Sequence, residues 1–333
     1  MEEIIQPVEK ELLLAELTKD NLLRNANHGN NEIYLFDGRK SPYLMKELGR
    51  LRELTFRHAG GGTGKETDID KYDIGEDPYL QLIVWDPEDK EIVGGYRYIL
   101  GESILDNPLK KLATSHLFGF SDKFLKQYLP YTIELGRSFI QPAYQAKSNV
   151  RKGLFALDNL WDGLGALMVE YPIAKYFLGK VTMYKTFNVE ARNYILSFLN
   201  IYFSDKKNLL ISKNPIIIDY NKYTTIFSKT NYLEDYKILN KIIKRYDEKI
   251  PPLINAYMNL SRSLIFFGTV ENDEFGGVEE TGILVNIQKM YNIKKDRHTN
   301  SYKKLININE LFPRDPKTLD LKFLKKLQEN QND

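Results

Sequence analysis

The stretch YLQLIVWDPEDKEIVGGYRYILG (residues 79–101) constrains the fold most, because it holds two apolar runs on either side of a polar turn. The turn sequence DPED sets a proline among acidic residues, which favours a reversal of the chain. Two strand-like runs joined by so short a turn predict a β-hairpin. The chain therefore contains a sheet with at least one antiparallel pair of strands.

The rest of the chain alternates between strand-like and helix-like segments. The sequence SPYLMKELGRLRELTFRHA (41–59) predicts a helix that Ser41 caps and Pro42 opens. Further helices are predicted at 8–23, 150–171, 189–203 and 251–263. Strands or extended segments are predicted at 31–38, 131–144, 176–184, 209–218, 264–272 and 282–290. This alternation indicates an α/β (α+β) fold, with a mixed sheet and helices packed on it.

The same alternation bears on the domain organisation. It continues to about residue 290, which favours one main domain over two. An amphipathic helical segment at 1–30 precedes the main domain at 31–290, and a basic, weakly helical tail follows at 291–333. Within the main domain, the segment at about 219–250 is rich in Lys, Tyr and Ile and is interpreted as a helical insertion.

The composition excludes several kinds of chemistry. The chain of 333 residues contains no cysteine, which rules out disulfides, thiolate metal sites and a cysteine nucleophile. Its histidines show no metal-ligand spacing, so we expect no metal site. A net charge of +2 gives no reason to expect a nucleic-acid partner. Without an apolar signal core or a run of about 20 apolar residues, we expect a cytoplasmic location, with peripheral contact to the inner membrane surface left open.

The segment AGGGTGKETDID (59–70) is similar to a phosphate-binding loop but departs from it at both ends. The pattern GxxxxGK[ST] would place Ala59 at its first glycine and Glu66 at its final hydroxyl residue. We therefore expect a mobile glycine-rich loop that closes over a substrate. The acidic residues in this segment and just after it are Glu66, Asp68, Asp70 and Asp73. Their carboxylates are either solvated in a turn or attract an ammonium group.

The strand segment ELGRSF (134–139) carries two charges in an apolar context. Alternation along a strand places Glu134 on one face and Arg137 on the other, together with Leu135 and Phe139. Charges within an apolar strand are usually paired or functional. Each of the two charges needs its own partner, unless one side of the strand lines a cleft.

Six segments, taken in order, resemble one known family. They are RELTF (52–56), DKYD (70–73), VGGYR (93–97), ELGRSF (134–139), LGKVTMY (178–184) and PPLINAYMNL (251–260). Their order and spacing resemble those of the GNAT-like N-acyltransferases over residues 30–285. Within this family, the chain is most similar to the branch of ornithine-lipid and glycine-lipid N-acyltransferases, often labelled hemolysins. Its similarity to the acyl-homoserine-lactone synthases is more distant.

The resemblance implies a GNAT-like acyltransferase fold, in which helices flank a central mixed, mostly antiparallel twisted sheet with a splayed, V-shaped opening. It also implies transfer of a fatty acyl group, often 3-hydroxylated, from acyl carrier protein to an amine. The acyl group would be carried on 4′-phosphopantetheine, with acyl-CoA as the alternative donor, and no cofactor would stay bound. The family pattern falls on Arg52, Phe56, Asp70, Asp73, Arg97, Glu134 and Arg137.

Two departures from the family patterns bear on the product and on the acyl donor. The tryptophan expected soon after Phe56 in the homoserine-lactone synthases is replaced here by the glycine loop, which puts that product in doubt. The acetyl-CoA signature [QR]-x-x-G-x-[GA] is also absent around Gly153, where Val150 and Phe155 occupy two of its positions. This absence disfavours a standard acetyl-CoA enzyme.

The resemblance also suggests roles for individual residues. We expect Glu134 to be the catalytic base, acting through water, because it is a strand carboxylate that would face the expected opening of the sheet. Arg137 and Arg97 would organise the cleft or pair with acidic neighbours. Arg97 with Asp70 and Asp73 would form a polar lid over the amine. The substrate-binding residues in this hypothesis are Arg52, Phe56, Asp70, Asp73 and Arg97.

The acyl donor is expected between the strands at 131–141 and 178–184. The phosphate of its pantetheine arm would meet the helix start near Gly153, where free N–H groups face an anion. Lys147, Arg151 and Lys152 would offer a basic patch to the acidic carrier protein, although an ordinary solvated helix start fits the same residues. Candidate acyl-tunnel residues, equally expected in a plain core, are Phe118, Phe120, Phe139 and Leu164.

The leading hypothesis is therefore an N-acyltransferase that forms a lyso-aminolipid from a small amino acid, either glycine or ornithine. Its partners would be acyl carrier protein and the amino acid. Two alternatives stay open: a signal synthase of the acyl-homoserine-lactone type, and a non-catalytic lipid- or protein-binding module on the same fold. The retained Glu134 and Arg137 argue against the non-catalytic module.

Overall fold

A computed structural model describes residues 1–145, 153 and 155–313 of the protein. Its strands are β1 (Leu22–Asn25), β2 (Glu32–Asp37), β3 (Leu80–Asp86), β4 (Glu91–Leu100), β5 (Phe118–Phe120), β6 (Thr132–Ile140), β7 (Tyr176–Met183), β8 (Leu210–Ser212), β9 (Ile265–Asn272) and β10 (Val278–Asn286). Its helices are α1 (Lys10–Glu16), α2 (Pro42–His58), α3 (Lys71–Ile74), α4 (Pro108–Lys111), α5 (Asp122–Gln127), α6 (Ala156–Glu170), α7 (Val189–Phe203), α8 (Tyr220–Thr224), α9 (Tyr232–Arg245), α10 (Pro252–Met258), α11 (Asn292–Thr299) and α12 (Ile308–Leu311).

Eight of these strands form one sheet in the order β1-β2-β3-β4-β6-β7-β10-β9, and β5 pairs with β8 in a small second sheet. Every neighbouring pair in the large sheet is antiparallel except β6 and β7, which are parallel. The hairpin predicted at 79–101 is β3 and β4. The predicted mixed, mostly antiparallel sheet flanked by helices is therefore confirmed.

The parallel pair β6–β7 creates an opening in the middle of the sheet. The two strands pair only from Thr132 with Tyr176 to Glu134 with Leu178. Beyond these three residue pairs, both strands continue for several residues and line a cavity instead. The predicted V-shaped opening lies at this point.

Apolar side chains alternate along the strands, so each face of the sheet needs a cover of its own. On one face, Leu82 and Val84 of β3 belong to the same core as α6 and α7. On the other face, Ile83 and Trp85 belong to the core that α2 covers. We call these the α6 face and the α2 face.

A β-bulge in β6 changes the face that its later side chains occupy. Gly136 and Phe139, three residues apart, pair with β4 residues that are only two apart. Arg137 within the bulge has a φ of 52°, a left-handed conformation that is uncommon for a residue with a side chain. As a result, Leu135 packs in the core of the α6 face, whereas Phe139 packs in the core of the α2 face. The expectation that Leu135, Arg137 and Phe139 share one face is therefore wrong.

The N-terminal segment differs from the single helix predicted at 8–23. Helix α1 ends at Glu16, and Leu22 and Leu23 instead begin strand β1, which pairs with β2. Asn21 forms the turn between them, because its Oδ1 accepts a hydrogen bond from Thr18 N at 2.8 Å. Pairing with the open edge of β2 outweighs the helical pattern, since it supplies partners for the backbone groups of that edge.

The cap of α2 also differs from the prediction. Pro42 opens the helix as expected, but the Ser41 side chain makes no capping hydrogen bond. The carboxylate of Glu16, at the end of α1, instead accepts hydrogen bonds from Tyr43 N at 3.2 Å and Leu44 N at 2.8 Å. A residue distant in sequence therefore caps α2 and anchors α1 to it.

Other predicted elements have shifted or shorter bounds. Strand β8 covers only part of 209–218, and α10 ends at Met258 within the predicted 251–263. Helices α8 and α9 lie within the predicted insertion, where Leu239 and Ile243 pack into the core of the α6 face. In the part of the chain that the structure describes, no helix combines the length and the apolar character needed to cross a membrane.

Gly165 in α6 provides a test of the packing between α6 and α11. A Cβ added there would overlap the backbone carbonyl of His298 in α11. Gly to Ala inside a helix normally stabilises a protein by about 0.5–1 kcal/mol. We expect Gly165→Ala to lower the free energy of unfolding instead, by about 1–3 kcal/mol, because α11 must move away.

Urea denaturation measures this effect. Gly119→Ala is the control, because the nearest atom to its added Cβ is the Ile211 carbonyl oxygen, 3.8 Å away. A Gly165→Ala protein at least as stable as the natural chain would contradict the described contact.

Candidate active site

A cavity of about 1010 Å³ fills the opening between β6 and β7. Residues 135–140 and 179–184 line it from the two strands, and the end of α2 and part of α10 close its two ends. Because the edges of both strands face this opening, side chains from both faces of the sheet reach the same cavity.

The two halves of the cavity differ in chemistry. The half on the α6 face is lined mainly by apolar and aromatic side chains, among them Leu135, Leu160, Val181, Met183 and Tyr257. The half on the α2 face includes the polar side chains of Thr55, Arg137, Lys180, Thr182 and Glu280. The cavity therefore suits an apolar group and a polar group that meet at the opening.

A buried ion-pair network lies on the α2 face. Arg52 Nη1 is 2.9 Å from Asp73 Oδ1, and its Nη2 donates to Gln81 Oε1 at 2.6 Å. Arg97 Nη1 is 2.8 Å from Asp70 Oδ1 and 3.0 Å from Asp73 Oδ2. The two arginines therefore share Asp73, which the one-turn helix α3 holds in place through a capping box with Asp70.

Arg137 extends this network to the bulge of β6. Its Nε lies 2.8 Å from Asp68 Oδ2, and its Nη2 lies 3.6 Å from Asp70 Oδ2. Its guanidinium also stacks over the ring of Phe275, with 4.5 Å between the guanidinium carbon and the ring centroid. Because Arg97 and Arg137 both reach Asp70, the bulge has turned Arg137 towards the α2 face.

The titration of the buried aspartates follows from these contacts. Burial raises the pKa of Asp73, but Arg52 and Arg97 outweigh it and hold that pKa below its ordinary value. For Asp68, burial is the largest effect and leaves its pKa raised despite the attraction of Arg137. Asp73 is thus ionised at neutral pH and fixes the two arginines that it binds.

The network corrects the expected amine site. Arg52 and Asp73 are fully buried and bind each other, and neither is among the residues that line the cavity. Asp70 is the most exposed of the three aspartates, at 31%, and it too is paired with arginine. Three arginines balance three aspartates in this network, so it retains no net negative charge that would attract an ammonium group.

Glu134 also lies in a different position from the one expected. Its side chain is 2% exposed and points away from the cavity, towards the turn at residues 113–114. It accepts hydrogen bonds from Thr114 N at 2.8 Å and Ala113 N at 3.2 Å, and also from the hydroxyls of Tyr79 and Thr114. Burial raises the pKa of Glu134, although these donors lower it in part. The expectation that this carboxylate faces the opening is wrong, and its role as a base stays a prediction.

The carboxylate of one α2 residue anchors the middle of the glycine loop. Glu53 of α2 accepts hydrogen bonds from Thr63 N at 3.0 Å, Thr63 Oγ1 at 2.8 Å and Gly64 N at 2.8 Å. Glu2 lies against the same loop, since its N–H donates to the Gly64 carbonyl oxygen at 2.8 Å. The loop follows a helix rather than a strand, which agrees with the rejection of a phosphate-binding loop. Its closure over a substrate stays a prediction.

The remaining predicted site residues divide into three groups. Phe56 and Gly153 line the cavity, as does the tunnel candidate Phe139. The other tunnel candidates are core residues: Leu164 is buried on the α6 face, and Phe118 and Phe120 pack in a separate cluster with Phe124. The basic residues predicted to bind the carrier, at positions 147, 151 and 152, lie outside the described residues, so Lys147, Arg151 and Lys152 stay predictions.

Sequence reasoning missed the polar residues of β7 and β10. In the segment LGKVTMY, Lys180, Thr182 and Tyr184 alternate with Val181 and Met183, and this pattern on a strand indicates one polar face. The carboxylate at Glu280 was missed because the predicted strand began two residues later. A strand that carries polar side chains at alternate positions beside the opening was the available signal.

Comparison with known proteins identifies the class that this fold and cavity define. Residues 51–153 match a family described as an acetyltransferase (GNAT) domain. This region includes the hairpin β3–β4 and strand β6, on which the opening depends. No solved structure matches significantly.

Two curated relatives cover nearly the whole chain, and both are named glycine N(alpha)-acyltransferase. The protein from Phocaeicola vulgatus is 52% identical over 308 residues, which cover 91% of this chain and 94% of that protein. The protein from Bacteroides thetaiotaomicron is 53% identical over 306 residues, which cover 91% of each chain. The chain belongs to the GNAT-like N-acyltransferases, and it is an acyltransferase.

Replacing Glu134 with glutamine tests whether this residue has a structural role. The carboxylate accepts hydrogen bonds from four donor groups. In glutamine the side-chain NH2 group is itself a donor, and it would face at least one of these donors. We expect Glu134→Gln to lower the free energy of unfolding by about 1–3 kcal/mol, as for a buried donor left unsatisfied. Urea denaturation measures the change.

The control is Glu91→Gln, a strand carboxylate that is 42% exposed and paired with Lys10. We expect its stability to change by less than about 0.5 kcal/mol. A Glu134→Gln protein with unchanged stability and greatly reduced turnover would favour the base role and contradict the structural one.

Proposed function

We propose that this chain transfers a fatty acyl group, 3-hydroxylated in the favoured case, from acyl carrier protein to the amine of glycine. The product would be a lyso-aminolipid. The cavity at the β6–β7 opening carries this proposal, because its apolar half suits an acyl chain and its polar half suits an amino acid. The names of the two relatives favour glycine over ornithine as the acceptor.

The acyl donor would enter between the diverging strands. Beyond Glu134 and Leu178, the edges of β6 and β7 face the cavity rather than each other. Backbone N–H and C=O groups at such edges need hydrogen-bond partners. The amides of a phosphopantetheine arm can supply them, on either acyl carrier protein or coenzyme A. The basic residues Lys147, Arg151 and Lys152 remain the proposed contact with the carrier.

The acyl chain would occupy the half of the cavity on the α6 face. The whole cavity, at about 1010 Å³, lies at the upper end of the usual range of about 300–1,000 Å³ for small-molecule sites. A cavity of this size has room for a long apolar chain as well as a small acceptor.

The acceptor would occupy the half on the α2 face, where aromatic side chains restrict its size. Phe56, Phe139 and Phe275 meet edge to face, with ring centroids 5.0 Å apart for Phe56 and Phe275 and 6.4 Å apart for Phe56 and Phe139. Tyr184 lines the same half. A small amino acid fits this crowded wall better than one with a long charged side chain, which supports glycine.

The proposed reaction is a direct aminolysis of the thioester. The ammonium group of glycine loses a proton, its nitrogen attacks the carbonyl carbon, and a C–N bond forms. The C–S bond then breaks, and the thiolate takes the second proton lost by the nitrogen. Since the chain has no cysteine, direct attack in a ternary complex is simpler than a thioester-linked acyl-enzyme.

The same chemistry bears on where the enzyme works. Acyl carrier protein thioesters are cytoplasmic substrates, so we propose a cytoplasmic location. The amphiphilic product would leave towards a membrane surface, and we propose peripheral contact with the inner membrane for this reason.

A thiol-release assay tests the proposed function. The full chain is incubated with 3-hydroxypalmitoyl acyl carrier protein and glycine, and the freed thiol is measured with a colorimetric reagent. The enzyme contributes no background, because it has no cysteine. We expect release that depends on glycine and is at least about 10-fold slower with ornithine, because of the restricted acceptor half.

Parallel reactions with 3-hydroxypalmitoyl coenzyme A separate the two donors, and mass spectrometry identifies N-acylglycine as the product. Thiol release with ornithine alone would overturn the choice of acceptor. The absence of release with every amino acid and both donors would overturn the proposed function.

A further inference from the structure

Lys180 and Glu280 form an ion pair on the wall of the cavity. Lys180 lies on β7 and Glu280 on the neighbouring β10, and Lys180 Nζ is 2.6 Å from Glu280 Oε1. Thr182 Oγ1 donates to Glu280 Oε2 at 3.0 Å, and Asn272 Nδ2 donates to Oε1 at 3.3 Å. The side chains of Lys180, Thr182 and Glu280 all line the cavity.

The pair lies where the sheet opens. The last residue of β7 that pairs with β6 is Leu178. Lys180 is two residues further along and therefore on the same face of the strand. Glu280 pairs directly with Thr182 across the β7–β10 ladder, which places its carboxylate on that face too. The two charges thus face the acceptor half of the cavity at the point where a thioester between the strands would end.

The burial of this pair is unusual for a contact that only joins two strands. The side chains of Lys180 and Glu280 are 14% and 1% exposed, whereas the nearby pair Lys185–Glu271 is 60% and 44% exposed. Removing an ion pair from water carries a desolvation cost that its attraction need not repay. A solvent-exposed pair would connect the strands without that cost, so joining the two strands does not explain why this pair is buried.

The carboxylate of Glu280 is ionised at neutral pH. Burial raises the pKa of Glu280, but Lys180 and the hydrogen bonds of Thr182 and Asn272 outweigh it, so that the pKa stays below its ordinary value. The neighbouring Tyr184 responds to this carboxylate, since burial and the charge of Glu280 raise its pKa to about 12. The wall therefore presents an ammonium and a carboxylate side by side.

We propose that Lys180 and Glu280 bind the zwitterion of the acceptor amino acid. The ammonium of Lys180 binds the α-carboxylate, and the carboxylate of Glu280 binds the α-ammonium group and takes its proton. Glu280 is then a catalytic residue and Lys180 a residue that determines specificity. This inference rests on the proposed function, because it assigns the acceptor site of that same reaction.

The balance of charge explains which acceptors this pair selects. A neutral pair of opposite charges matches a zwitterion, which is also neutral and carries both signs close together. A simple amine would leave Lys180 without an anion, and a simple acid would leave Glu280 without a cation. An unmatched charge in a site removed from water is costly, so the pair favours α-amino acids over both.

Glu280 takes part in the first of the two proton transfers in the reaction. Glu280 accepts one proton from the ammonium group, which frees the nitrogen lone pair for attack on the thioester carbon. After the C–N bond forms, the nitrogen loses its second proton to the departing thiolate as the C–S bond breaks. Glu280 returns its proton to water, so one amide, one thiol and one released proton result.

Lys180→Met removes the proposed contact with the carboxylate while keeping a side chain of similar length. We measure kcat/KM for glycine and for glycinamide, which lacks the carboxylate charge, in the thiol-release assay with 3-hydroxypalmitoyl acyl carrier protein. We expect a fall of about 10- to 100-fold for glycine, as for a lost charged hydrogen bond, and less than about threefold for glycinamide. Lys180→Arg keeps the charge and should restore much of the preference.

Glu280→Gln tests the proton transfer. We expect kcat with glycine to fall by about 10²- to 10⁴-fold, the usual contribution of a general base, with a much smaller change in KM. The matched controls are Lys185→Met and Glu271→Gln, which remove the exposed pair nearby. Neither control should change the preference for glycine over glycinamide, and circular dichroism confirms that each variant is folded.

The outcomes separate this inference from the proposed function. If the natural enzyme releases no thiol with any acceptor, the proposed function fails. If it acts on glycine but Lys180→Met keeps the natural ratio of glycine to glycinamide activity, or Glu280→Gln keeps its kcat, the inference alone fails. Should these variants not fold, an equal kcat/KM of the natural enzyme for glycine and glycinamide would overturn the inference.

Discussion

The site depends on how briefly β6 and β7 pair. The strands are nine and eight residues long, yet only three residue pairs join them before they diverge. Their neighbours β4 and β10 hold the outer edge of each strand along most of its length, so the opening stays fixed without collapse of the sheet. The backbone groups that face the cavity are therefore already ordered. They can orient a substrate without a further loss of conformational entropy in the protein.

The bulge at Arg137 determines which charges meet on the α2 face. Without the extra residue, strand alternation would send Arg137 towards the apolar helix α6. With the bulge, Arg137 joins Arg52 and Arg97 against three aspartates, and the resulting network is electrically balanced and largely buried. Since the charges of this network balance one another, the pair of Lys180 and Glu280 stands apart from it as an ion pair that lines the cavity near the opening of the strands.

The predictions that held are those that local pattern controls. The hairpin at 79–101 and helix α7 have strong periodicity and clear ends, and both lie where the sequence indicates. The predictions that changed depend on partners distant in the chain. The last two residues of the predicted helix at 8–23 instead begin β1, because the edge of β2 was available. Glu134 turned away from the opening because donors at Tyr79, Ala113 and Thr114 surround it. Neither partner is visible from the spacing of the segment itself.

The sequence by itself determined the class of fold, the absence of thiol chemistry, and the family that the ordered motifs resemble. These properties follow from periodicity, composition and motif order, which need no knowledge of how the elements meet. Only the tertiary structure decided where β6 leaves β7, which face Arg137 occupies, and which carboxylate borders the cavity. Each of these depends on strand register, and a shift of one residue in register moves a side chain to the opposite face of the sheet.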